Sequence, residues 1–343
     1  MSILQKITIK YELKEVSSVN IMILSPGRRV DIVEYFKLAV HKVGGKVFTA
    51  DMSKYAPALY SGDEHFVINK DFNNLDKYIQ DVINICKDKE VNAIITLIDP
   101  ELVLLAENYD KFKKNGIIPI VSDYDEIINT FDKYAFATSL KNKINVIPTF
   151  NGYEDAINAI ENGELKFPIF AKVRNGSGSE GIGRINSIYE LQGYKDKKNF
   201  IFQPCILKKE YGVDVYFDMI SGKIVSIFIK HKINMRSGET DKSISIYRED
   251  IVREIMKLQE MKFKGPIDVD VFEDESGMLY INEINPRFGG GYPHAYNSGV
   301  NFIDKIVNNL NGKENETSIG QYKKDLVMMK YNGTFFIEKE NLG

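Results

Sequence analysis

The rhythm of apolar positions along this chain changes near residue 125. Before that point, short unbroken apolar runs alternate with segments of helical spacing. Ile21–Leu24 is such a run, and Ser25-Pro26-Gly27 turns it. Residues 28–43 then place Val30, Val33, Phe36, Leu38 and Val40 at helical intervals, and Gly44-Gly45 ends the segment. Residues 46–50, 65–68, 93–98 and 117–121 read as further strands, with helices over 75–89 and 101–114 between them. This alternation predicts a parallel sheet covered by helices on both faces.

Beyond residue 125 the pattern predicts helices over 124–140 and 153–161. Strands at 168–173 and 183–185 flank a glycine-rich stretch, and a short helix at 188–194 precedes a strand at 200–203. Two hairpins follow. One joins 212–220 to 223–229 at Ser221-Gly222, and the other joins 266–272 to 278–284 across Asp274–Gly277. Residues 250–261 and 302–310 have helical spacing, and 326–337 has weak strand character. The expected plan is a doubly wound α/β domain followed by an α+β region of antiparallel hairpins.

Composition narrows the class. A chain of 343 residues suggests two or three domains. A hydrophobic content of 43 % supports real cores. With a net charge of −3 there is no basic footprint for nucleic acid, and no apolar run is long enough to span a membrane. Residues 1–18 lack the pattern of a secretory signal and read as a strand-like extension. Cys86 and Cys205 lie in no motif, which argues against a disulfide framework and fits a reducing cytoplasm.

Three segments carry chemistry. Gly176-Ser177-Gly178-Ser179-Glu180-Gly181 has the spacing of a dinucleotide fingerprint, but a strand follows it where that fingerprint needs a helix. A glycine-rich hairpin whose amides approach phosphate fits better, and an ordinary surface hairpin is the alternative. Lys172 ends the apolar strand before this loop, where its charge needs an anionic partner or an outward-facing edge. Asp270, Glu283 and Asn285 fall on two strands of one predicted hairpin. Asp268 shares a face with Asp270, as Asn285 does with Glu283. If these strands pair, oxygen donors converge as Mg²⁺ requires; a solvated polar face is the alternative. Arg287, two residues on, is a candidate for facing transferred phosphate.

Together these segments resemble the ATP-grasp superfamily, in particular ligases related to the large subunit of carbamoyl phosphate synthetase. The residues 283–291, Glu-Ile-Asn-Pro-Arg-Phe-Gly-Gly-Gly, are similar to the E-x-N-P-R block of that group. The resemblance implies a Rossmann-like pre-ATP-grasp domain at 19–124 behind the extension at 1–18. It further implies a small ATP-grasp lobe with a glycine-rich lid at 125–199 and a large lobe with the metal site at 200–343. It implies ATP and Mg²⁺ (or Mn²⁺) as cofactors, with Asp270, Glu283 and Asn285 as metal ligands. Lys133 and Lys172 would hold phosphates beneath the lid Gly176, Ser177, Gly178 and Gly181. Gln203, Pro204, Cys205 and Ile206 would contact adenine, and Glu210 the ribose. Lys208 and Gln203 depart from the commoner glycine and acid at their positions.

The implied reaction joins a carboxylate to an amine through an acyl phosphate, releasing ADP and phosphate, with Arg287, Lys172 and Arg236 as catalytic candidates. Amino acids are the expected substrates, and a homodimer is a possible assembly. Arg28 or Arg29 at the first strand–helix turn, Asp99 near Thr96 and Glu101, and Arg236 in Arg-Ser-Gly-Glu are candidates for holding them; His294 reads as structural. An ATP-grasp kinase or phosphotransferase and a non-catalytic nucleotide-binding regulator are the alternatives.

Overall fold

The computed structural model describes residues 18–175, 183–206 and 208–343. The expected extension at 1–18, apart from Ser18, and the lid residues Gly176, Ser177, Gly178 and Gly181 lie outside them.

The first sheet is parallel and five-stranded: β1 (Ile21–Leu24), β2 (Val47–Asp51), β3 (Glu64–Val67), β4 (Ala93–Thr96) and β5 (Ile118–Pro119), in the order β3-β2-β1-β4-β5. β1 and β4 are buried on both faces, which is why they read as continuous apolar runs. The helix Val30–His41 covers one face, and Leu75–Asp88 and Asp99–Glu107 cover the other.

A small antiparallel sheet follows: β6 (Phe150–Asn151), β7 (Ile169–Val173), β8 (Gly183–Ile185) and β9 (Phe200–Pro204), in the order β6-β9-β7-β8. β9, assigned from sequence to the start of the large lobe, pairs with β6 and β7 in this sheet. The large sheet comprises β10 (Lys209–Phe217), β11 (Ile224–Arg236), β12 (Glu239–Ile246), β13 (Gly265–Glu273), β14 (Leu279–Asn285) and β15 (Val327–Met329), in the order β14-β13-β10-β11-β12-β15.

Several expected elements change at their ends. The helix expected over 124–140 is two, Tyr124–Phe131 and Lys133–Leu140, because Asp132 breaks it. The Asp132 carboxylate accepts from the amides of Tyr134 and Ala135 and so caps the second helix. The helix expected over 101–114 divides at Asn108. β11 runs on to Arg236 and turns through Ser237 (φ 51°) and Gly238 (φ 76°) into β12, a strand the apolar pattern did not reveal. Of the strand expected at 326–337, only Val327–Met329 forms.

The large sheet has two unlike faces. Val213, Val215, Ile227, Ile229, Val269, Val271, Ile281 and Ile284 point to one core, shared with Ile251, Ile255 and Phe136. The opposite face is polar toward one end. At its other end Tyr216 and Phe228 join a core that runs without a break into Ile21, Ile23, Phe36, Phe288 and Phe302. The first domain and the large sheet therefore share apolar interior. Among the described residues, no helix is long and apolar enough to cross a membrane.

Candidate active site

A cleft of about 910 Å³ opens between the small sheet, the polar face of the large sheet and the carboxyl end of β4. Its chemistry follows from strand register. β13 and β14 pair antiparallel with Asp270 opposite Glu283 and Asp268 opposite Asn285, so all four side chains share the cleft face. A bulge between Asp270 and Val271 gives β14 one extra residue, which turns both Asn282 and Glu283 toward the cleft. The three-residue spacing of the buried Ile281 and Ile284 is the sequence trace of that bulge.

Lys172 reaches in from β7 and donates to Asn282 Oδ1 at 3.1 Å. Burial lowers its pKa and neighbouring Lys133 lowers it further, while Glu283 opposes the shift. Lys133 lies 3.9 Å from Glu283 Oε1. Its place is fixed from behind. Asp132 caps the helix and forms an ion pair with Arg174 at 2.7 Å, and the Lys133 amide donates to Arg174 O at 3.1 Å. The two lysines thus approach the carboxylate hairpin from other elements, Lys172 from β7 of the small sheet and Lys133 from the first turn of a helix.

Sequence reasoning missed Lys232. Its ammonium sits between Glu210 Oε1 at 2.7 Å and Asp270 Oδ1 at 2.6 Å. Behind it, Lys230 and Asp214 form a fully buried ion pair. Both lysines are housed beside Gly212, where a Cβ would lie 2.9 Å from Lys230 Cε and 3.1 Å from Lys232 Cε. The signal was present: two lysines two residues apart in a strand that is otherwise Ile-Phe-Ile-Lys-His-Lys-Ile.

Arg287 is held by Asp99 through two bonds, 3.0 Å from Nε and 3.3 Å from Nη2, and lies 3.4 Å from Asp268. Burial would depress its pKa, but Asp99 and Asp268 hold it above the ordinary value. Asp99, considered for an amine, is therefore the partner of Arg287. Thr96 and Glu101 lie outside the cleft. Glu101 is buried, accepts from Thr96 at 2.5 Å and Tyr78 at 2.7 Å, and pairs with Lys70. Arg236 is exposed near the β11–β12 turn and is not among the cleft-lining residues. Arg29 lines the cleft and donates to Phe288 O at 2.7 Å, whereas Arg28 is exposed. His294 is buried between Ser243 Oγ at 2.7 Å and Leu326 O at 2.9 Å, a structural setting.

At the other end of the cleft Gln203 is buried. One end of its amide bonds Thr149 at 2.8 Å, and the other has no partner among the described residues. Pro204, Cys205 and Ile206 are half-buried beyond it, and Glu210 lines the cleft. The loop after β14 packs tightly against charge. A Cβ on Gly289 would lie 2.5 Å from Asp268 Oδ1, on Gly290 2.8 Å from Glu239 Cδ, and on Gly291 2.7 Å from Lys230 Cε. The glycine triplet is thus required by close approach.

A parallel first domain, two antiparallel lobes and a cleft between them with lysines facing a carboxylate hairpin form one known arrangement. Residues 196–334 match the family model for ATP-grasp in the biosynthetic pathway with Ter operon, and residues 21–120 match the PylC-like N-terminal domain. The chain has the ATP-grasp fold. No curated protein sequence matches it. Among solved ATP-grasp-like structures, it resembles N5-carboxyaminoimidazole synthetase from Staphylococcus aureus in complex with ADP, at 21% identity and TM-score 0.69, over 90% of this chain and 80% of that one. It also resembles the biotin carboxylase domain of 2-oxoglutarate carboxylase from Hydrogenobacter thermophilus, in complex with MgADP and bicarbonate (16%, TM-score 0.71, 89% and 73% coverage). A third likeness is to an L-amino acid ligase from Bacillus licheniformis (16%, TM-score 0.65, 88% and 75%).

The ATP-grasp cleft fits a metal-bound nucleotide in its charge and in its donors. Among the described residues, no three His, Cys, Asp or Glu side chains form a cage. Asp270, Glu283 and Asn285 do line one face of the cleft, and their oxygens are hard donors of the kind Mg²⁺ prefers. Burial pushes Asp270 up to about 7; Lys232 opposes the shift, and Asp268, Glu210 and Glu283 add to it. This crowding of carboxylates is what a divalent cation relieves.

Proposed function

We propose that the protein is an ATP-dependent carboxylate–amine ligase acting on amino acids. The observation that carries this reading is the in-register pairing of Asp270 with Glu283, facing Lys133 and Lys172 across one cleft. The ATP-dependent ligases named above share the fold, and they act on small molecules.

In this reading Gln203 and the backbone at 204–206 receive adenine; the unpartnered end of the Gln203 amide suits a base edge. Glu210 receives the ribose hydroxyls. Lys172, oriented by Asn282, and Lys133 hold phosphate oxygens. Asp270, Glu283 and Asn285 would hold Mg²⁺, which when bound neutralises the triphosphate. Arg287, fixed by Asp99, faces the transferred phosphoryl group. A substrate carboxylate oxygen attacks the γ-phosphorus and ADP leaves. The amine then attacks the acyl carbon, and phosphate departs. Positioning and charge account for catalysis without a covalent protein nucleophile. Phe131, Phe170 and Phe272 line the cleft and limit water at the acyl phosphate.

The test is an ADP-release screen with ATP, Mg²⁺ and pairs of amino acids. ADP and phosphate are expected only when both carboxylate and amine are supplied. Formation of AMP and pyrophosphate, or a stable phosphorylated product, would refute ligation.

A further inference from the structure

At the end of the cleft beyond Arg287, two groups of opposite charge face open space. Arg29, from the turn after β1, donates Nη1 to Phe288 O at 2.7 Å. Among the described residues no carboxylate lies within ion-pair distance of it. Burial lowers its pKa, and Arg287 lowers it further. Arg287 has its own charges satisfied by Asp99 and Asp268; Arg29 does not. A desolvated guanidinium whose one protein acceptor is a neutral carbonyl has donors to spare for an anion.

The opposite charge comes from the start of β12. Glu239 lines the same cleft and lies against Gly290, and Lys330 donates to its Oε2 at 2.7 Å. Oε1 has no hydrogen-bond partner among the described residues. Arg29 and Glu239 both line this cleft, and among the described residues no ion pair joins them, so a space of the cleft lies between the two charges. Gly290 and Gly291 line the same cleft, and the absence of a Cβ on Gly290 leaves room for the Glu239 carboxylate beside it.

We infer that this gap binds a free α-amino acid as a zwitterion, with its carboxylate on Arg29 and its ammonium on Glu239 Oε1. The inference rests on the proposed ligase reading and assigns the substrate contacts that reading leaves open. Phosphate is an unsuitable occupant, because Glu239 repels it while Arg287 and Lys330 are already held by Asp99, Asp268 and Glu239. A zwitterion satisfies both charges at once. Arg29 is then a specificity-determining residue supplied by the first domain to a site otherwise built by the ATP-grasp lobes.

The experiment is calorimetric titration of the full chain, saturated with MgADP, by free amino acids, their methyl esters and their N-acetyl forms. At least one free amino acid binds, and blocking either end weakens it by about tenfold or more. Arg29→Gln should abolish the preference for acid over ester, and Arg29→Lys should restore part of it. Glu239→Gln should abolish the preference for free over acetylated amine. MgADP affinity, unchanged in each variant, reports an intact fold. Equal binding of acid and ester, a preference that survives Arg29→Gln, or no amino acid bound would overturn the inference. An amino acid that binds as described but releases no ADP with any partner would sink the ligase reading and leave this one standing.

Discussion

Lys232 brings one positive charge into contact with two carboxylates, Glu210 and Asp270, and its side chain is 5% exposed. Removing it leaves two half-buried carboxylates without the cation they share. Lys232→Met should destabilise the fold by about 3–5 kcal/mol in denaturant unfolding. Lys77, in an exposed pair with Asp81, is the contrast: Lys77→Met should change stability by about 0.5 kcal/mol or less. His294 tests a different residue-scale effect. Burial lowers its pKa from 6.5 to about 4, so the fold holds the imidazole neutral. Below pH 6.5 the unfolded chain binds a proton that the folded chain refuses. The stability contributed by neutral His294 is therefore complete above 6.5 and is lost as pH falls toward 4, by on the order of 3 kcal/mol. His294→Gln lacks this component, so the stability gap between variant and parent should narrow across that window. A gap that stays constant from pH 7 to 4.5 would contradict it.

At the scale of elements, β13, β14 and the glycine loop behave as one device. Register sets Asp270 against Glu283, the bulge adds Asn282, and the loop returns over Asp268 and Glu239. Gly289 lies too close to the short, inflexible Asp268 to admit a methyl group. Gly289→Ala should cost about 1–3 kcal/mol and move Arg287 off Asp99. Reduced ADP release together with a lower melting temperature is the expected readout. Element positions were largely legible from sequence, because apolar runs and hairpin turns report local preferences directly. Lys172, Asp270, Glu283 and Arg287 were legible as candidates because charge inside apolar strands is costly. Lys232 was missed although the same argument applied, and β12 was missed because its alternation, Thr-Asp-Lys-Ser-Ile-Ser-Ile, buries serine and threonine where apolar residues were sought. The break at Asp132 was missed because the partner that holds its carboxylate, Arg174, lies 42 residues away in sequence.

The whole molecule is joined at Arg287-Phe288. Arg287 binds Asp99 of the first domain, Phe288 O accepts from Arg29, and the Phe288 ring meets Phe36 edge-on at 5.9 Å. One core therefore runs from the parallel sheet into the large lobe. Phe288→Ala should destabilise by about 3–5 kcal/mol. Calorimetry of the full chain should show the first domain and large lobe melting in one transition; two well-separated transitions would show that the shared core does not couple them.

By itself the sequence determined most of the strands and helices, where the fold changes from parallel to antiparallel, and several of the charged residues that sit in apolar surroundings. These follow from periodicity and from the cost of burying charge, both local properties. Tertiary structure alone decided which charges meet: that Asp99 belongs to Arg287, that Glu101 is buried away from the cleft, that Arg236 is exposed near a turn, and that Arg29 lines the cleft with no carboxylate partner among the described residues. Pairing depends on register and on the packing of distant elements, and a single chain read residue by residue carries no measure of either.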